Sequence, residues 1–162
     1  MKQKIYIETT VVSYFVSKPS KNIITASHQV ITRDFWDIIN NFEVYISDLV
    51  LQEAAAGDKI QAQKRLNALA GISLLEIDDD TKKLAKSLLE GKAIPTKYPE
   101  DAFHIAVATL NGIDIIVTWN FKHINNPFTR KTIRRVIEKN GFVCPEICSP
   151  DEFMGDDSWK IQ

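Results

Sequence analysis

Four residues of this chain could do chemistry together: Glu8, Glu53, Asp101 and Asn120. Three carboxylates and a carboxamide, with no cysteine or histidine among them, form a hard oxygen set suited to Mg2+ or Mn2+. Close carboxylates repel one another unless a cation neutralises them, so convergence of the three would be a physical reason for a metal. They are scattered along the chain, and only a fold that gathers them can make a site.

The elements that must do the gathering are written in the pattern. Pro99 suits a first helical turn, Phe103, Ala106, Val107 and Leu110 recur at helical spacing, and Asn111–Gly112 supplies a stop. Asp101 then falls in the first turn, where the helix dipole favours a carboxylate. The β-branched run Asp114–Asn120 reads as a buried strand. Lys4–Ile7 reads as a first strand ending at Glu8–Thr9–Thr10, and Val44–Ile46 as a second. After it, Ser47–Asp48 caps a helix over Leu49–Ala56 that carries Glu53 about one turn in. Strands alternating with helices imply a parallel sheet covered on both faces. Parallel order places every strand's carboxyl end on one edge, the edge where such sheets bind ligands. Glu8 ends the first strand, Asn120 ends the fourth, Asp101 starts the helix before the fourth, and Glu53 can reach back. Asp114 opens its strand, far from Asn120 at ~3.3 Å per residue, and reads as a turn residue.

The rest of the chain fills in an α/β domain. Val11, Val12, Tyr14 and Phe15 predict a turn of helix capped by a threonine hydroxyl. Lys18–Asn22 is a loop, and Ser27–Asn41 an amphipathic helix. Further helices are expected over Lys59–Ala70, Thr81–Glu90 and Thr129–Lys139, with strands at Ile72–Ile77 and at Phe142–Ile147, kinked at Pro145. Ser149–Pro150–Asp151–Glu152 has the form of a helix start. Asp78–Asp79–Asp80 reads as a helix cap that suits the dipole rather than as a metal site. The organisation is one domain over 1–153 and a loosely held tail over 154–162.

Composition is that of a soluble globular protein: 162 residues, 44% hydrophobic and 25% charged. A net charge of -1 excludes a uniformly basic nucleic-acid binder and leaves room for a local basic patch. No apolar run approaches the ~20 residues of a membrane span. Glu8 interrupts the apolar start, so no secretory signal is expected and the chain reads as cytoplasmic, away from membranes. Cys144 and Cys148, on an extended segment, would lie ~13 Å apart, too far for a disulfide. They lack the two further ligands of a zinc site and read as inert thiols.

Four segments in order resemble the PIN-domain family, in particular its VapC-like bacterial branch. They are Ile5–Thr10, Ile46–Glu53, Asp101–Ala108 and Ile116–His123, and the match runs from Ile5 to about Phe153. The resemblance implies a three-layer fold with a central parallel sheet of about five strands flanked by helices. It also implies a metal-dependent endoribonuclease using Mg2+ or Mn2+, with an RNA substrate, and a toxin paired with an antitoxin protein; a homodimer is a further expected partner state. The family's four acidic positions map onto Glu8, Glu53, Asp101 and Asn120. Glu8 stands where aspartate is usual and Asn120 where a fourth acid is common, so the site carries three charges. In such a site Glu8 and Asp101 would hold the ion, and Glu53 would bind it through water or orient that water. Asn120 would position the attacking water or the phosphate.

Neighbouring residues have competing readings. His104, three residues after Asp101, reads as a packing residue of an apolar helix rather than a site residue. His123 beside Lys122 either contacts phosphate or caps a strand–loop junction. Trp119 reads as core rather than as a base-stacking platform. Between Lys122 and Lys139 lie six Lys/Arg and one acid, Glu138. Arg130 and Arg134, at i, i+4, share a helix surface that is either a solvated face or a phosphate-binding one. The alternative function is a PIN-fold nucleic-acid-binding or regulatory module with weakened catalysis. A receiver-like domain using Asp48, or a phosphatase needing D-x-D, would want paired acids after the first strand, where this chain has Glu8–Thr9–Thr10.

Overall fold

A computed structural model describes residues 1–155; the tail expected over 154–162 therefore lies outside the described residues beyond Gly155. Five strands form one sheet: β1 (Lys4–Ile7), β2 (Glu43–Ser47), β3 (Ser73–Leu75), β4 (Ile115–Val117) and β5 (Glu146–Cys148). Their order is β3-β2-β1-β4-β5 and every pairing is parallel. Seven α-helices among the described residues cover the sheet: α1 (Thr9–Val16), α2 (Ile23–Ile38), α3 (Asp48–Ala54), α4 (Lys59–Leu69), α5 (Asp79–Glu90), α6 (Pro99–Leu110) and α7 (Pro127–Lys139). This is the three-layer α/β fold that the strand–helix alternation implies. The central strand is the most buried: Ile5, Tyr6 and Ile7 are fully inaccessible, packed with Ile116 and Val117 of β4. Small residues let α6 settle close against its neighbours, with Ala102, Ala106 and Ala108 fully buried. Gly112, at φ 64°, makes the left-handed turn that returns the chain from α6 to β4.

Several element limits differ from expectation, each for a local reason. The cap of α1 is Glu8 rather than a threonine; its carboxylate accepts the Thr10 N–H. The second helix starts at Ile23, four residues early, because Asn22 accepts the Thr25 N–H at 3.1 Å; Ile23 and Ile24 stay exposed and so leave no amphipathic signal. Helix α7 starts at Pro127 behind an Asn126 cap. The last strand begins only after Pro145, which has no N–H for the ladder. Asp78 caps α5 as read, accepting the Thr81 N–H at 2.8 Å. Ser149 and Glu152 form a capping box on a short 3-10 turn, Pro150–Met154. Both thiols are free, and burial pushes Cys144 up to about 11 and Cys148 up to about 12, which suits inert residues. No helix among the described residues is long and apolar enough to cross a membrane.

Candidate active site

The carboxyl edge of the sheet gathers what the chain keeps apart. Glu8, Glu53, Asp101 and Asn120 all line one cavity of about 550 Å3, which continues past Thr10 and Tyr14 toward Gln29 of α2. Among the described residues, no lysine or arginine lines it.

Glu8 follows the last residue of β1 and is 4% exposed. Its Oε1 accepts the hydroxyls of Thr10 and Thr118, the latter at 2.7 Å, besides the Thr10 N–H. Those threonines in turn accept the N–H groups of Trp119 and Asn120, each at 3.0 Å, so the loop after β4 is laced to the start of α1. Glu53, in the last turn of α3, points back to the edge. Its Oε1 accepts Thr9 Oγ1 at 2.7 Å and meets His104 Nε2 at 2.6 Å. Burial alone would raise the Glu53 pKa, but the His104 hydrogen bond and charge and the Thr9 hydroxyl outweigh it, and the net direction is down. Asp101, in the first turn of α6, moves the other way. Its burial and the charge of Glu8 raise its pKa against the lowering pull of His104 and His123.

Asn120 turns its amide in a definite sense. Its Oδ1 accepts the His123 N–H at 3.0 Å, while Nδ2 donates to Asp101 Oδ1 at 3.3 Å. The reverse orientation would set oxygen against oxygen and NH2 against N–H. The group facing the acids is therefore a donor, and the oxygen is committed to the backbone. His123 is drawn into the site as well: Nδ1 lies 3.0 Å from Asp101 Oδ2, and its ring stacks on Tyr98 at 4.0 Å.

Three residues supply the tightest group of atoms able to hold a metal among the described residues: Glu8, Glu53 and His104, all within 4.8 Å of one another. Asp101 faces the same cavity outside that group. Carboxylate-rich walls, an Asp101 proton affinity raised by its surroundings and the lack of a lining cation among the described residues together fit a hard divalent ion.

His104 departs from its reading as mere packing. It is fully buried and hydrogen-bonded at both nitrogens, but one partner is Glu53 itself. The i, i+3 spacing from Asp101 was the available signal, since it sets the ring one turn below the acid. Trp119 is core, as read: it is 5% exposed, donates Nε1–H to Thr32 Oγ1 at 2.8 Å and stacks on His28. The basic residues differ in their partners. Lys122 is exposed in the turn after Asn120. Arg130 donates to Asn125 Oδ1 at 2.6 Å, and Asn125 holds the Thr118 carbonyl. Arg134 pairs with Glu138 and with Glu146, which opens β5 at the opposite edge from the acids.

A parallel α/β domain whose ligand edge is built from carboxylates defines a recognisable class. Residues 5–128 match the family model described as the PIN domain. The chain belongs to the PIN-domain family. Among solved structures it is similar to a chain of VapBC2 from Rickettsia felis, crystallised bound to a DNA fragment from their promoter. That likeness has a TM-score of 0.55 and 16% sequence identity, and covers 91% of this chain and 98% of that one; it is a likeness of fold. No curated protein matches the chain.

Proposed function

We propose that this protein is a metal-dependent endoribonuclease of the PIN type, acting in the cytoplasm as the toxin partner of an antitoxin. One observation carries the reading: three carboxylates from three different elements face one cavity with no lysine or arginine among the described residues that line it. Glu8, Glu53 and Asp101 would hold Mg2+ or Mn2+. A bound divalent ion supplies Lewis acidity toward a phosphate oxygen and makes water acidic enough to attack near neutral pH. Glu53 has Oε1 committed to Thr9 and His104, which leaves Oε2 to orient the attacking water and receive its proton. Asn120 Nδ2 fixes Asp101 and can also donate to a phosphate oxygen. Lys122, exposed beside this edge, would meet the flanking phosphate, and Arg130 would brace the loop that carries it. Fold likeness to a chain of a VapBC2 structure supports the toxin reading.

Asn120 also favours a second reading, an RNA-binding module with little turnover, because it offers an amide NH2 where a fourth acid would add charge. A cleavage assay on several structured RNAs, with and without Mn2+, tests both. Mn2+-dependent cutting is the expected result; binding without cutting would support the module, and neither would sink both.

A further inference from the structure

Five elements are joined by a buried line of hydrogen bonds that ends on Glu53. Ser47 Oγ, at the end of β2, lies 2.8 Å from Tyr6 OH in β1. Tyr6 OH lies 2.6 Å from His104 Nδ1 in α6, and His104 Nε2 lies 2.6 Å from Glu53 Oε1 in α3. Thr9 Oγ1, opening α1, donates to the same oxygen. Tyr6, Ser47 and His104 are each wholly inaccessible to water.

We infer that His104 is a positioning residue: through Tyr6 and Ser47 it anchors the Glu53 carboxylate to the sheet and so sets the geometry of the metal site. This deepens, and rests on, the proposed metal-dependent reading. Donor counting fixes the end of the line. An ionised Glu53 only accepts, so the imidazole carries a hydrogen on Nε2, and Nδ1 ties the same ring to the Tyr6 hydroxyl. Tyr6 OH is held in turn by Ser47 Oγ. The same counting argues against His104 as a ligand, because Nε2 could meet an ion only by releasing Glu53. The tether has a purpose in this fold. Helix α3 has seven residues, and Glu53 sits in its last turn on a long side chain that is 34% exposed. Left alone, that carboxylate would sample many rotamers.

The test compares two replacements that both delete the ring. His104→Asn carries an amide about where Nδ1 was and can reach Tyr6 but not Glu53. His104→Gln carries one about where Nε2 was and can reach Glu53. Isothermal titration with Mn2+ should show the Asn variant weaker by on the order of 10- to 100-fold and the Gln variant within about threefold of the parent, the range expected for a group that orients a ligand. Equal affinities for the two variants, or no loss in either, would overturn the proposal. Tyr6→Phe keeps the packing if neither variant folds. It should weaken Mn2+ binding a few-fold and shift the Nδ1 15N resonance of His104, whose partner it removes; an unchanged spectrum and affinity would likewise overturn it. Should the parent itself fail to bind Mn2+, the metal reading falls. The tether is then decided by the parent's 15N spectrum alone, where a hydrogen on Nε2 supports it and a bare Nε2 overturns it.

Discussion

The site holds two acid–imidazole pairs, and they are built differently. Glu53–His104 is closed at 2.6 Å with a ring that is 1% exposed and engaged at both nitrogens. Asp101–His123 is longer, at 3.0 Å, with a ring that is 19% exposed. His123 Nε2 has no hydrogen-bond partner among the described residues. The first imidazole hangs from the sheet, whereas the second rests on Tyr98 in a loop. A saturated, buried pair has one arrangement available to it. The rim pair has slack, and its acid is the one whose surroundings resist ionisation. Fixed geometry and stored repulsion thus sit on opposite sides of one cavity.

The sharpest way to break this contrast is Asp101→Asn. Cleavage of RNA should fall by on the order of 10^3-fold or more through loss of a charged ligand. The metal-free protein should nevertheless become more stable. A carboxyl whose folded pKa is raised stabilises fully below its unfolded pKa, and that contribution is lost as pH rises through the folded value. Near pH 7 the ionised Asp101 therefore weighs against the fold, and the variant should melt at a higher temperature than the parent. Scanning calorimetry without divalent ions, beside the cleavage assay, reads both; undiminished cutting by pure variant would remove Asp101 from the machinery.

Asn120→Asp adds repulsion on the same side. A carboxylate 3.3 Å from Asp101 should lower metal-free stability and tighten Mn2+ binding about tenfold, or roughly 1.4 kcal/mol. Titration with Mn2+ showing no change would place residue 120 outside the metal's reach. If the amide NH2 instead serves the phosphate, cleavage will fall while metal affinity rises.

A smaller effect is expected from His123→Phe, which keeps the stack on Tyr98 and deletes both nitrogens. Mn2+ affinity should drop only a few-fold, less than for His104→Asn, because solvent can replace a donor at the rim. A larger loss at His123 would reverse the contrast between the two pairs.

Outside the site the expected effects are smaller still. Lys122→Ala should reduce the salt dependence of RNA binding by about one unit of slope, the change expected when a single phosphate is left without its cation. Arg134→Ala should leave the slope unchanged, since Arg134 is paired with Glu138 and Glu146 at the other edge. A slope that responds to Arg134 instead would make the whole basic stripe a binding face.

Strand-end logic reaches far here because parallel order alone carries Glu8, Glu53, Asp101 and Asn120 to one edge, and all four line one cavity. Helix α6 is equally legible, with proline, apolar period and Asn–Gly stop marking Pro99–Leu110. What the pattern could not carry is orientation. The sense of the Asn120 amide depends on the His123 N–H, and the role of His104 depends on a tyrosine 98 positions away. Those are contacts between elements, set by packing and invisible to a period. Strand β3 is legible in place but not in extent: Ser73–Leu75 lies inside the expected Ile72–Ile77, and with Ser73 and Leu74 exposed at the sheet margin no apolar alternation marks its limits.

Glu8 serves as the cap of α1 with the same carboxylate that faces the cavity. Its replacement would unfasten Thr10 and Thr118 and cost the helix its start, whatever became of catalysis. Asp101 carries no such obligation. In lineages where the activity is no longer selected, mutation should therefore erase Asp101 early and Glu8 late. A silent descendant would still carry the first glutamate, kept by the demands of folding long after its chemistry had lapsed.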